Sequence, residues 1–147
     1  MPQLEWPHEL DTGVPMLDSQ HHALHLLCHK LAVAYRENLH HDVVVGICLE
    51  LKKFADFHFL CEENLMRGID YPAREDHAGT HARLIFELDL WAQRVYARRD
   101  TPDALLTVLR RWIMKHVGED DHRLAQYLEQ SGSRPAADAE LGLYRRW

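Results

Sequence analysis

Ile47-Cys48-Leu49-Glu50-Leu51-Lys52-Lys53-Phe54-Ala55-Asp56-Phe57-His58-Phe59-Leu60-Cys61-Glu62-Glu63-Asn64-Leu65-Met66 holds the pattern that decides the fold. Ile47, Leu51, Phe54, Cys61 and Leu65 recur at steps of three, four and seven, the period of one face of a helix rather than the alternation of a strand. His58 stands on that same apolar stripe, and Glu62 follows four residues later. Side chains four apart on a helix are neighbours, roughly 5–6 Å between Cβ atoms. The stripe therefore carries an imidazole and a carboxylate toward the interior. Burying such groups without partners costs about 2–7 kcal/mol each, so something must satisfy them.

Outward from this segment the same period recurs. A first helix is predicted over about Ser19 to Glu37, with His21, Leu24, Cys28, Leu31 and Tyr35 on one face. The second runs from about Asp42 to Arg67, and Gly68 with Tyr71-Pro72 marks a stop and restart. A third, about Pro72 to Arg98, aligns His77, His81, Leu84, Leu88 and Trp91 or Val95. Thr101-Pro102 reads as an N-cap followed by proline at the first helical position, and the fourth helix then presents Leu105, Leu109, Trp112 and His116. Long amphipathic helices joined by short connections predict an all-α, up-down-up-down antiparallel four-helix bundle with an N-terminal loop. The bundle is assigned to residues 1–130. Ser131-Gly132-Ser133-Arg134-Pro135 begins a C-terminal extension, 131–147, expected as a short helix or a disordered tail ending in Tyr144-Arg145-Arg146-Trp147.

A chain of 147 residues suffices for one domain with a sizeable core. Its net charge of -6, without a basic block, argues against nucleic acid and against an anionic membrane surface as partners. The longest apolar stretch, Val43 to Leu49, is too short to span a bilayer. Met1 to Glu9 is acidic and precedes no apolar run, so no signal peptide is expected. Cys28, Cys48 and Cys61 are odd in number, lack C-x-x-C spacing and lie among apolar residues, which predicts buried reduced thiols in a cytoplasmic protein.

The donors on the apolar stripes are His21, the pair His58 and Glu62, the pair His77 and His81, and His116 with Asp121 five residues on. Imidazole suits iron, zinc and copper, and a carboxylate can bridge two ions. Five imidazoles and two carboxylates exceed what one tetrahedral zinc takes, and suit two metals. Taken singly each motif is weak. With 12 histidines in 147 residues, H-x-x-x-H arises about once by chance, and His21/His25 and His25/His29 also have that spacing. A lone buried histidine is ordinarily a hydrogen-bonded core residue. Joint placement on four helices, each donor in register with its own apolar stripe, favours metal. His22, His25 and His29 fall on another face, read as solvated or as an adventitious metal-binding surface, and His40 and His41 are read the same way. His8 stays unassigned and His122 is expected to be exposed beside Asp121. The carboxylate-rich di-iron pattern needs two Glu-x-x-His units on separate helices, and of the three such spacings only Glu119 to His122 lies within a predicted helix, since Glu5 to His8 and Glu37 to His40 run into loops.

At these residues the chain resembles the hemerythrin family, specifically its single-domain bacteriohemerythrins. The likeness spans about Trp6 to Leu128. It rests on Gly13 to His21 ending in Asp-x-Gln-His, on His58 to Met66, on Tyr71-Pro72 with His77-x3-His81, and on Trp112-Ile113-Met114-Lys115-His116 with Asp121. The resemblance implies two iron ions with an oxo or hydroxo bridge. His77, His81 and His116 would hold one iron, His21 and His58 the other, and Glu62 and Asp121 would bridge them. The two-histidine iron would keep an open position for dioxygen, lined by Leu24, Phe59, Trp112, Ile113 and Val117. The implied role is reversible dioxygen binding for carriage, storage or delivery rather than catalysis, with a protein recipient of oxygen as partner. Two other roles fit the same residues: an oxygen or redox sensor acting through a signalling partner, and a di-iron enzyme turning over peroxide or nitric oxide.

Overall fold

The computed structural model describes residues 5–132, and the extension assigned to 131–147 lies outside the described residues from Ser133 onward. The chain opens with a strap containing a short 3-10 turn, His8–Leu10, and then forms α1 (Pro15–Arg36), α2 (His41–Gly68), α3 (Arg74–Tyr96) and α4 (Pro102–Trp112). The last of these continues without a break through a π-helical segment, Ile113–Asp121, into α5 (His122–Ser131). Together they form the fourth rod of an all-α four-helix bundle. Cross-helix pairs give the directions. Lys30 meets Glu50 at 2.7 Å, Lys52 meets Asp89 at 2.7 Å and Arg111 meets Glu87 at 3.9 Å, so each helix runs antiparallel to the one before it. These exposed ion pairs add little stability. The core holds the rods together.

Local chemistry sets the ends. Pro15 occupies the first turn of α1, which starts four residues before the expected Ser19 because proline is pre-set for that position. The Asp18 carboxylate accepts from Thr12 N (2.7 Å), Thr12 Oγ1 (2.8 Å) and Gly13 N (3.0 Å), fastening the strap to α1. Thr101 precedes α4 as expected, with Pro102 at the first helical position, but its side chain makes no capping bond. The three interhelical turns share one solution. Asn38, Asp70 and Arg98 take left-handed φ values of 52°, 51° and 55°. Behind them, the amides of Leu39, Tyr71 and Arg99 reach back to the carbonyls of Ala34 (3.0 Å), Met66 (2.9 Å) and Arg94 (2.8 Å). This is the Schellman arrangement that satisfies the last carbonyls of a helix. Gly68, read as the stop of the second helix, is its last helical residue, and Asp70 makes the turn.

The apolar faces form two clusters. The larger includes Leu24, Cys28, Leu31, Ile47, Leu51, Ala55, Phe59, Leu88, Leu105, Leu109 and Val117. The smaller, toward the end where α1 begins, contains Leu17, Leu65, Met66, Ile69, Leu124 and Leu128. Between Leu17 and Leu24 lies His21, between Phe59 and Leu65 lies Glu62, and between Val117 and Leu124 lies Asp121. A polar layer thus crosses the bundle between two apolar ones. Cys28, Cys48 and Cys61 are buried and form no disulfide among the described residues, and burial pushes the thiols of Cys28 and Cys48 up to about 12 and about 11. Among the described residues no helix is long and apolar enough to cross a membrane.

Candidate metal centre

The polar layer consists of the side chains singled out by register. Among the described residues, the fully buried histidines and carboxylates are His21, His58, Glu62, His77, His81, His116 and Asp121, each 5 % exposed or less, and no others. α1 supplies His21, α2 supplies His58 and Glu62, α3 supplies His77 and His81, and the π segment supplies His116 and Asp121. Five residues along an α-helix point about 140° apart. The wider π turn closes that angle, bringing His116 Nε2 within 3.2 Å of Asp121 Oδ1. Such segments recur at functional sites.

Each carboxylate divides its oxygens between two sets of imidazoles. Glu62 Oε1 faces His58 Nε2 (3.4 Å) and His21 Nε2 (3.8 Å), while Oε2 faces His81 Nε2 (2.9 Å), His77 Nε2 (3.3 Å) and His116 Nε2 (4.0 Å). Asp121 repeats the division, with Oδ2 toward His21 (2.9 Å) and Oδ1 toward His77 (3.1 Å) and His116 (3.2 Å). Donor atoms of His21, His58, Glu62 and Asp121 all lie within 4.8 Å of one another, and so do those of Glu62, His77, His81, His116 and Asp121. Glu62 and Asp121 belong to both groups.

These close contacts are not hydrogen bonds. His21 Nε2, His77 Nε2 and all four carboxylate oxygens of Glu62 and Asp121 lack a hydrogen-bond partner despite full burial. The outer ring nitrogens explain part of this. His58 Nδ1–H donates to Gln20 Oε1 (2.7 Å), His81 Nδ1–H to Glu63 Oε1 (3.0 Å) and His116 Nδ1–H to Asp120 Oδ2 (2.8 Å). With those protons outside, His81 and His116 bring their two Nε2 atoms to 3.1 Å of each other. Only a proton or a cation between them makes that arrangement favourable. The residues fit metal. Gln20, Glu63 and Asp120 escaped the sequence reading; the available signal was that each adjoins a candidate donor, as Gln20-His21, Glu62-Glu63 and Asp120-Asp121.

Charges within the layer follow. Burial pulls His21, His77 and His116 down, but Asp121 and Glu62, with Asp120 at His116, more than offset it and lift them to about 9, about 9 and about 10. Burial prevails at His58, which falls to about 4 against the attraction of Glu62. Burial also pushes Glu62 up, yet the imidazoles of His58, His21, His77 and His81 hold it well below the usual carboxylate range. Asp121 is held low by His116, His21 and His77 against burial and the charge of Glu62.

The remaining assignments divide. Leu24, Phe59, Trp112, Ile113 and Val117 are all buried in the larger cluster beside the layer. Phe59 stacks on His81 (4.0 Å between ring centroids) and meets Trp112 edge-on (5.3 Å). His22 is exposed as expected and contacts Asp11 Oδ1 at 2.9 Å. His41 is not on a solvated metal-binding face, since its Nε2 lies 3.1 Å from the Tyr96 carbonyl. His122 is not exposed either. It is half-buried, with its ring nitrogens 2.8 Å from the Val117 carbonyl and 3.1 Å from that of Asp11, pinning the strap to the π segment. The indole of Trp6, on the strap, stacks on His21 at 6.2 Å.

Fold and donor set together define a metal-binding four-helix bundle with a histidine–carboxylate centre. Residues 12–128 match the family described as the hemerythrin HHE cation binding domain. The chain belongs to the hemerythrin family. It is 28% identical over 142 residues to the bacteriohemerythrin of Pseudomonas aeruginosa (strain LESB58), covering 97% of this chain and 92% of that protein. The bacteriohemerythrin of Stenotrophomonas maltophilia (strain R551-3) gives the same figures. That of Clostridium acetobutylicum is 25% identical over 121 residues, covering 79% of this chain and 94% of the relative.

Proposed function

We propose that this protein holds two iron ions and binds dioxygen reversibly, as a carrier, store or local supply. The observation that carries the reading is the division of oxygens at Glu62 and Asp121, each carboxylate turning one oxygen to His21 or His58 and the other to the His77, His81 and His116 group. Divided in this way, Glu62 and Asp121 could each donate to both of two cations. On this reading His77, His81 and His116 would hold one ion and His21 and His58 the other, whose smaller set of protein donors would leave room for a small molecule. Bound ferrous iron supplies the electrons that reversible dioxygen capture requires. The chain's own groups do the rest. Glu62 and Asp121, both held ionised, offset cationic charge that would be costly in an apolar interior. Gln20, Glu63 and Asp120 fix the rings of His58, His81 and His116 with Nε2 inward. Leu24, Phe59, Trp112, Ile113 and Val117 keep water away from that layer. The bacteriohemerythrin name of the relatives supports the same reading.

The test is spectroscopic. Iron-replete protein, reduced under anaerobic conditions, is expected to gain a visible charge-transfer band in air and lose it on degassing over repeated cycles. Oxygen uptake should be stoichiometric and stop. Bleaching on the first cycle, or continuous oxygen or peroxide consumption, would replace carriage by turnover.

A further inference from the structure

The groups behind the imidazoles differ in charge between the two halves of the layer. In the three-histidine half, His81 and His116 each donate Nδ1–H to a carboxylate, Glu63 at 3.0 Å and Asp120 at 2.8 Å. In the two-histidine half, His58 donates to the neutral amide oxygen of Gln20 at 2.7 Å, and His21 Nδ1 has no hydrogen-bond partner and lies under the indole of Trp6. An imidazole whose outer N–H is held by a carboxylate carries more electron density on its inner nitrogen and is a stronger metal donor. Glu63 and Asp120 are only 29 % and 26 % exposed, so solvent screens them incompletely, although Arg123 pairs with Asp120 on its outer side.

We propose that Glu63 and Asp120 make the three-histidine half the tighter metal seat, and that the neutral Gln20 keeps the two-histidine half the weaker one. These are positioning residues: they act on the metal through the ring they hold. The inference rests on the two-cation reading above and adds that the inequality is set by charge behind the ligands as well as by their number. Each partner also ties neighbouring parts of the bundle. Gln20 of α1 backs His58 of α2, Glu63 of α2 backs His81 of α3, and Asp120 closes on His116 within the π segment.

Titration of the metal-free protein with Co2+, followed by its visible bands, resolves the two halves. The wild-type chain is expected to take two ions in two separable steps. Glu63→Gln and Asp120→Asn keep an acceptor of the same shape and remove only the charge. Each should weaken the tighter step about 10-fold or more, within the ~10–100-fold range for such outer partners, and leave the looser step unchanged. Gln20→Glu should act in reverse, tightening the looser step and narrowing the gap. Helical circular dichroism of the metal-free variants controls for folding, and the gain expected from Gln20→Glu cannot be produced by misfolding. Wild-type affinities for the two ions that are indistinguishable, or charge-removing variants that titrate as wild type or lose both steps equally, would overturn the proposal. A wild-type chain that takes a single Co2+ would instead overturn the two-cation reading beneath it.

Discussion

His116 shows what the interior demands of one side chain. Its outer nitrogen is held by Asp120 at 2.8 Å, and its inner nitrogen faces Asp121 at 3.2 Å and the inner nitrogen of His81 at 3.1 Å. Only a proton or a cation between those nitrogens makes that packing favourable. His116→Ala and His77→Ala are therefore expected to bind fewer than two metal ions per chain and to lose the stabilisation that metal brings, about 2.7 kcal/mol for an ion present at 100 times its dissociation constant. His22→Ala, on the exposed neighbour of His21, should retain both ions; elemental analysis and melting curves separate the cases, and metal loss from His22→Ala would contradict the register assignment. Protons mark the same residues. His21 and His77, lifted to about 9, and His116, lifted to about 10, are protonated at pH 7 in the metal-free chain. A folded value above the ordinary 6.5 contributes stability that is complete below about pH 6.5 and is lost as pH rises through about 9 to 10. His58, lowered to about 4, works in the opposite sense, costing stability only as pH falls below about 6.5. Metal needs these nitrogens bare, so loading at pH 7 should release protons and apparent affinity should climb with pH. Calorimetric titrations in two buffers of different protonation heat read that release; equal heats would refute it.

Helices and turns differ in how far the sequence disclosed them. The periods of α2 and α3 placed their ends within two residues, because apolar spacing reports which face is buried and both helices are amphipathic along their length. The stripes also selected His21 over His22, since only His21 shares the register of Leu24 and Cys28, and that choice decided which imidazole is buried. The π segment was not legible. His116 and Asp121, five apart, were paired on one face, a placement that an α-helix would refuse; the widened turn that permits it leaves no compositional mark. His41 and His122 were misplaced for a related reason, as their partners are backbone carbonyls of Tyr96, Val117 and Asp11, some of them brought near only by tertiary folding. Gly68, Tyr71-Pro72 and Thr101-Pro102 marked where turns fall, but not their geometry, because the left-handed residues are Asn38, Asp70 and Arg98 rather than glycine. Asparagine and aspartate tolerate that region, whereas arginine gains nothing from it. Arg98→Gly should thus relieve about 1–2 kcal/mol of strain, partly offset by about 0.5–1 kcal/mol of added chain entropy in the unfolded state. A rise in melting temperature of ~2–4 °C is expected, the scale of 1 kcal/mol for a chain of this size. A lowered melting point would show that Arg98 makes a contact worth more than its strain.

At the scale of the whole molecule, the seven buried donors divide one interior into two apolar compartments joined by a polar layer. A bundle of this length could fill that layer with leucine and be more stable without metal, because replacing buried charged groups by packed apolar ones is often neutral or stabilising. Bound metal would explain the layer, and every rod of the bundle would then contribute at least one donor to the same small volume. Metal binding should in consequence act as a cross-brace on the whole fold, not as a local event. Each ion held at 100 times its dissociation constant contributes about 2.7 kcal/mol, and for a domain of this size each kcal/mol moves the melting point by ~2–4 °C. Two ions should then raise the transition by roughly 10 °C or more over the metal-free chain. Leu124→Ala, in the small cluster beyond the layer, offers the contrast: its fully buried side chain should cost about 2–5 kcal/mol in the metal-free and loaded forms alike. Thermal melts of both chains, with and without metal, measure both terms. A wild-type chain that melts at the same temperature with and without added metal would mean that the polar layer is held by protons alone, and that the convergence of Glu62 and Asp121 serves no cation.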